Sequence, residues 1–128
     1  MEEKMFALVP PSEFGTLEKE IAALWHSAYD GLLGEAQVDY MTEKFQSAEA
    51  MRGQVERENY LYFRIRRGGE TIGYCALKPE GDRLFLSKLY LSAENRNKGL
   101  GQRALEEVAE AARRLGLRAV YLTVNKGN

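Results

Sequence analysis

Ser92-Ala93-Glu94-Asn95-Arg96-Asn97-Lys98-Gly99-Leu100-Gly101 joins a strand-like run, Leu84 to Leu91, to a strongly amphipathic helix that begins at the glycines. A junction of this kind is built to bind anions. The first turn of a helix leaves backbone N–H groups without an internal partner, and the aligned peptide dipoles place about half a positive charge there. Glycine at positions 99 and 101 lets a phosphate approach that backbone without meeting a Cβ, and Arg96 and Lys98 add full charges. The ligand expected at such a turn carries a pyrophosphate.

Outward from the junction, the following helix shows Leu100, Ala104, Leu105, Val108, Ala112 and Leu115 on one face, with Arg103, Glu107, Glu110 and Arg114 opposite. Gly116 stands where a left-handed cap ends a helix. Ala119 to Val124 is apolar and β-branched, which predicts a strand covered on both faces and parallel to Leu84–Leu91, since a helix crosses between them. Before the junction, Tyr60 to Arg67 and Thr71 to Lys78 flank Gly68-Gly69, a signal for a tight hairpin with positive φ angles. Pro79-Glu80-Gly81-Asp82 turns the chain into the next strand, so three strands form an antiparallel meander.

The first half reads as helical. Ser12 is placed to cap a helix carrying Leu17, Ile21, Leu24, Trp25 and Ala28, which Asp30-Gly31 ends. Gly31-Leu32-Leu33-Gly34-Glu35 reads as a loop. A second helical region starts near Gln37 with Val38, Met41 and Phe45 on one side, and Ser47 restarts it toward Met51 and Val55. No repeat, low-complexity segment or linker interrupts residues 1–128, and the chain is read as one domain.

At 128 residues, with 45% hydrophobic and 29% charged residues, the composition is that of an ordinary globular protein. Eighteen basic residues against nineteen acidic ones leave a net charge of -1, which argues against a nucleic-acid partner, whose binding needs a clustered positive face. One cysteine and one histidine make neither an internal disulfide nor a usual metal site. The apolar stretch after Lys4 meets Pro10-Pro11 too soon for a secretory segment or a membrane span, so the expected location is cytoplasmic, with no membrane partner.

From the junction to the end, the chain resembles the GCN5-related N-acetyltransferases (GNAT). Their coenzyme A signature (Gln or Arg, two residues, Gly, one residue, Gly or Ala) is matched by Arg96-Asn97-Lys98-Gly99-Leu100-Gly101, between a strand ending Leu89-Tyr90-Leu91 and a second strand ending Thr123-Val124-Asn125. The resemblance covers roughly residues 60 to 128 well and the helical half loosely. It implies an α/β (α+β) acyl-CoA acyltransferase fold: a mixed sheet with an antiparallel meander and a βαβ coenzyme A unit. It also implies acetyl-CoA as cofactor and direct acetyl transfer to a primary amine of a small molecule, polyamine or peptide. By the same resemblance, the strands ending at Leu91 and Asn125 splay apart. The backbone at Leu89 and Leu91 then bonds to the pantetheine, an amide near Leu91 faces the thioester oxygen, and the turn from Arg96 through Asn97, Lys98, Gly99 and Leu100 to Gly101 grips the phosphates.

A lysine-like amine titrates near pH 10.4, so at neutral pH only about one part in a few thousand is ready to attack. The resemblance places substrate contacts at Tyr29 and Glu35 and makes Glu35 a candidate base, against the plainer reading of a solvated loop carboxylate. The family's usual acid, a tyrosine on a helix after the strand-ending Asn, has no counterpart within the 128 residues. The expectation is a C-terminally shortened domain whose last strand edge is buried in a homo-oligomer, a dimer. The alternative is a non-catalytic remnant that binds coenzyme A or only itself.

Plainer readings apply elsewhere. Gly99-Leu100-Gly101-Gln102-Arg103-Ala104 also fits the dinucleotide pattern G-x-G-x-x-G/A, but a long polar loop precedes it and Asn125, not an acid, follows the next strand. Cys75 reads as a packed thiol, His26 as a partly buried structural histidine, and Trp25 as a core anchor. Tyr60, Tyr62 and Phe63 read as sheet packing rather than a base-stacking platform.

Overall fold

A computed structural model of the chain describes residues 5–92 and 99–122. Among these residues five strands form one mixed sheet in sequential order, with helices on both faces. The elements are β1 (Phe6–Leu8), a 3-10 turn (Pro11–Glu13), α1 (Phe14–Leu33), α2 (Glu35–Gln46), α3 (Ala48–Glu58), β2 (Leu61–Arg67), β3 (Glu70–Glu80), β4 (Arg83–Leu91), α4 (Leu100–Arg114) and β5 (Ala119–Tyr121).

Strands β1 to β4 are antiparallel neighbours, and β5 runs parallel to β4. The Gly68-Gly69 hairpin forms as its sequence predicts, both glycines having positive φ (59° and 83°). The next turn is tighter than expected. Pro79 and Glu80 stay in β3, paired with Leu84 and Arg83, and the reversal falls on Gly81-Asp82. The expected three-stranded meander gains β1, whose three residues are too short for a periodic signal and are held by pairing with β2.

Two bulges decide which side chains face which layer. Pairing skips Ile72 between β2 and β3, and Ser87 between β3 and β4. One extra residue in a strand shifts its alternation by one. Leu84 and Leu86 before Ser87, and Leu89 and Leu91 after it, therefore all pack on the α4 face. Tyr90 goes to the opposite face, under α1.

On the α4 face, Leu100, Ala104, Val108 and Ala112 meet Ile65, Cys75, Leu77 and Leu84. Alanine at 104 and 112 lets the helix axis lie close to the sheet. Leu105 and Leu115, expected on this face, are 37% and 56% exposed, because the true contact stripe repeats every fourth residue from Leu100. Gly116 (φ 74°) caps α4: its amide bonds to Arg113 O, and that of Leu117 to Ala112 O, a Schellman arrangement. β5 does not match the doubly covered strand expected, since Ala119 is exposed and Val120 and Tyr121 are half-buried.

On the other face, Phe14, Leu17, Ile21 and Met51 cover Tyr62, Tyr74 and Ala76. Ser12 lies inside the 3-10 turn, and α1 starts after Glu13 with no side-chain cap. Nor does Asp30-Gly31 end that helix. It runs to Leu33 and stops at Gly34, whose φ of 87° only glycine holds without strain. The expected loop thus shrinks to a single residue, and Glu35 opens α2. Ser47 caps α3 as predicted, its hydroxyl accepting from Ala50 N at 3.1 Å. Among the described residues no helix is long and apolar enough to cross a membrane.

Candidate active site

The site lies at the end of β4. Among the described residues, pairing between β4 and β5 covers Arg83 to Phe85, and β4 continues to Leu91; the second strand end expected to splay from it, at Asn125, lies outside them. Beyond that pairing a cavity of about 350 Å³ opens, lined by Ala28 and Tyr29 of α1, Leu89, Tyr90 and Leu91 of β4, and Gly101 of α4. Four residues selected from the sequence, Tyr29, Leu89, Leu91 and Gly101, meet there although they come from three elements.

Gly99 is the residue before α4, in the left-handed region at φ 74°, and among the described residues no side chain caps the helix. Its carbonyl accepts the first helical bond, from Arg103 N at 3.1 Å, which leaves the amides of Leu100, Gly101 and Gln102 without a partner inside the helix. A Cβ built on Gly99 or Gly101 would meet nothing within 4 Å. Among the described residues nothing covers this helix end, whose amide donors suit an anion. The Leu100 side chain is buried in the core, so only its backbone is available to a ligand. Arg96, Asn97, Lys98 and Asn125, also selected from the sequence, lie outside the described residues.

Glu35 is not brought to this cavity. It stands exposed on the first turn of α2, because α1 continues past the position where a loop was expected.

Tyr29 and Tyr90 line the cavity on the α1 side, and Trp25 and Tyr74 pack behind them. Tyr90 stacks on Tyr74 at 5.4 Å, Trp25 lies 5.5 Å from Tyr90 and 5.2 Å from Tyr29, and Trp25 Nε1 donates to Tyr74 Oη at 2.9 Å. Burial and the neighbouring Tyr29 push the Tyr90 phenol up to about 12, so it stays neutral in the physiological range. Trp25 is thus half in the core and half behind the site. Sequence reasoning passed over Tyr90 because plain alternation from Leu84 assigns it to the α4 side; only the Ser87 bulge reverses this.

Gly73 was likewise missed. It pairs with Leu91, and a Cβ on it would lie 2.0 Å from the Tyr90 carbonyl oxygen. A second cavity, about 530 Å³, lies between α1 and this end of β3, with Glu20, Ser27, Thr71, Gly73 and Ser92 on its walls.

Cys75 is fully buried and its thiol is driven up by desolvation, which makes it a packed side chain and a poor nucleophile. His26 is half-buried between two carboxylates, with Nδ1 2.6 Å from Asp30 and Nε2 2.8 Å from Asp39. Among the described residues no group of three or more His, Cys, Asp or Glu side chains is arranged to hold a metal.

A crossover helix opening on glycine between two parallel strands, with a cavity at the end of the first, fits the class of acyl-CoA acetyltransferases. The chain belongs to the GNAT acetyltransferase family, whose sequence profile, "Acetyltransferase (GNAT) family", matches residues 21–128. Members of that family use acetyl-CoA. Comparison with curated proteins gave no match.

Solved structures share the fold. A PaiA N-acetyltransferase from Thermoplasma acidophilum, in complex with coenzyme A, superposes with a TM-score of 0.77 at 21% identity, over 96% of this chain and 80% of that one. An aminoglycoside acetyltransferase, HMB0005, from an uncultured soil metagenomic sample gives 0.68 at 15% identity, over 95% and 80%. A ribosomal-protein-alanine N-acetyltransferase from Brucella melitensis biovar Abortus 2308 gives 0.62 at 14% identity, over 95% and 80%.

Proposed function

We propose that the protein transfers the acetyl group of acetyl-CoA to a primary amine of a small molecule, polyamine or peptide by direct attack. The observation that carries this reading is the cavity at the end of β4, which joins the open start of α4 to the aromatic wall of α1. The amides of Leu100, Gly101 and Gln102 suit the diphosphate, with the turn at residues 96–98 completing that grip by family resemblance. The backbone of Leu89 and Leu91 is assigned to the pantetheine on the same ground, and that of Leu91 to the thioester oxygen as it gains charge. Bound there, acetyl-CoA supplies an activated acyl group. Tyr29 and Tyr90 form the side from which an amine enters. The inertness of Cys75 supports direct attack over an acyl-enzyme.

Calorimetric titration with acetyl-CoA, followed by a thiol-release assay over a panel of alkylamines, polyamines and peptide N-termini, tests the proposal. Saturable binding with turnover of at least one amine is expected. Binding without turnover would favour a coenzyme A-binding remnant, and no binding would overturn the assignment. Sedimentation at micromolar concentration tests the accompanying proposal that the β5 edge is covered in a dimer; a monodisperse monomer refutes it.

A further inference from the structure

The Ser87 bulge places Lys88 on the α1–α3 face together with Tyr90. Tyr90 is part of the cavity wall, and Lys88 sits two positions back along the same face, roughly 7 Å in an extended strand. Tyr62, Ala76 and Lys88 form one row across β2, β3 and β4. Because the middle residue ends at Cβ, the lysine stem lies over β3 and its Nζ donates to Tyr62 Oη at 3.3 Å. That nitrogen stands 5.7 Å from the Tyr62 ring centre and 5.9 Å from that of Tyr60.

Among the described residues no carboxylate forms an ion pair with Lys88. Glu58 at the end of α3 favours the charged form from a distance. Lys78 of β3 occupies another approach to the Tyr60 ring, at 5.4 Å. Burial outweighs the help of Glu58 and lowers the Lys88 ammonium to about 8. The Tyr62 phenol cannot take over as base. It donates to Gln54 Oε1 at 2.5 Å and accepts from Gln46 Nε2 at 3.3 Å, and burial raises it to about 12.

Resting on the acetyltransferase reading above, we propose that Lys88 is the proton acceptor for the incoming amine, its flexible four-carbon stem swinging from Tyr62 toward the cavity beside Tyr90. A proton passes from the acceptor ammonium to neutral Lys88 Nζ, and the freed lone pair forms the C–N bond at the thioester carbonyl. The C–S bond breaks, and a second nitrogen-borne proton leaves with the sulfur as the thiol. Lys88 then returns its proton to solvent. A lysine serves here because, near neutrality, desolvation keeps an appreciable fraction of it uncharged, whereas an exposed lysine is almost wholly protonated.

Lys88→Met, which keeps the apolar stem, and Lys88→Arg, which keeps a permanent charge, test this. For the wild type, kcat is expected to rise with pH through an apparent pKa of about 8. Both variants should bind acetyl-CoA as before, lose kcat on the order of 100-fold and lose that pH limb. Independently of turnover, protein labelled with ¹³C at lysine Cε should show one resonance, absent from Lys88→Arg, that titrates near 8. Should Lys88→Met fail to fold, the arginine variant reads both quantities. A Lys88 resonance titrating near that of free lysine, or a pH limb surviving in an active variant, overturns the lysine assignment and leaves the acetyltransferase reading standing. Wild-type protein that acetylates no amine overturns the functional reading, and the role of Lys88 with it.

Discussion

The carbonyl oxygen of Tyr90 occupies the space where a side chain on Gly73 would begin, 2.0 Å from an ideal Cβ. The Tyr90 carbonyl carbon and Leu91 Cα lie 3.0 and 3.1 Å from the same point, so the obstacle is backbone and has no rotamer to move. Glycine at 73 therefore sets how closely β3 holds the end of β4 that lines the site. Gly73→Ala is expected to destabilise the fold by about 1–3 kcal/mol, the usual cost of overpacking, and to weaken acetyl-CoA binding by shifting Leu89 and Leu91. Urea unfolding and calorimetry check both, and unchanged values would show that the strands separate freely here.

Gly101 offers a cleaner probe of the cofactor site than Gly99. At φ 74° any side chain on Gly99 is strained, whereas Gly101 is helical with open space around it. Gly101→Glu places a carboxylate against the expected phosphates, while a negative charge in the first turn favours the helix. Affinity for acetyl-CoA should fall about 100-fold, or ~2.7 kcal/mol, with Tm unchanged or raised. Equal affinity in the variant would place the phosphates elsewhere.

His26 joins α1 to α2 through Asp30 and Asp39. Carboxylates only accept, so a ring that donates from both nitrogens must be the imidazolium, and the two hydrogen bonds raise its pKa above the ordinary 6.5. A raised folded-state value means stability that is fully present below 6.5 and lost as pH climbs through the folded pKa. His26→Gln should therefore lower Tm at pH 5.5 and have progressively less effect toward pH 8.5. A constant difference across that range would refute the charged bridge.

Arg64, with its side chain only 12% exposed, ties β2 to the start of the helical layer through Glu13 at 2.8 Å and Glu20 at 2.9 Å. Replacement by Met keeps the stem and leaves two carboxylates unpaired. A loss of about 2 kcal/mol is expected from charged hydrogen bonds of this kind, measured by urea unfolding. A loss that vanishes in moderate salt would mark the pair as surface screening only.

Much of the fold was legible in local chemistry. Gly68-Gly69, Ser47 and Gly116 each impose a backbone conformation or a cap within a few residues of themselves, and each acts as read. Where the reading failed, it rested on a residue type that permits an ending without requiring one. Gly31 is tolerated inside α1, and the helix stops only at Gly34, where φ turns positive. That extension carried Glu35 out of its expected loop and away from the cavity.

The order of the strands from β2 to β5, the crossover helix and the glycine-opened helix start followed from the sequence by itself, because period, capping and turn signals act over short separations. Tertiary structure alone decided which side chains share a wall. Two single-residue bulges reset the alternation of β3 and β4, sending Tyr90 and Lys88 to the α1–α3 face and bringing Gly73 against Tyr90. A bulge depends on how two paired strands settle into register under the helices packed on them, and no residue near Ser87 announces it.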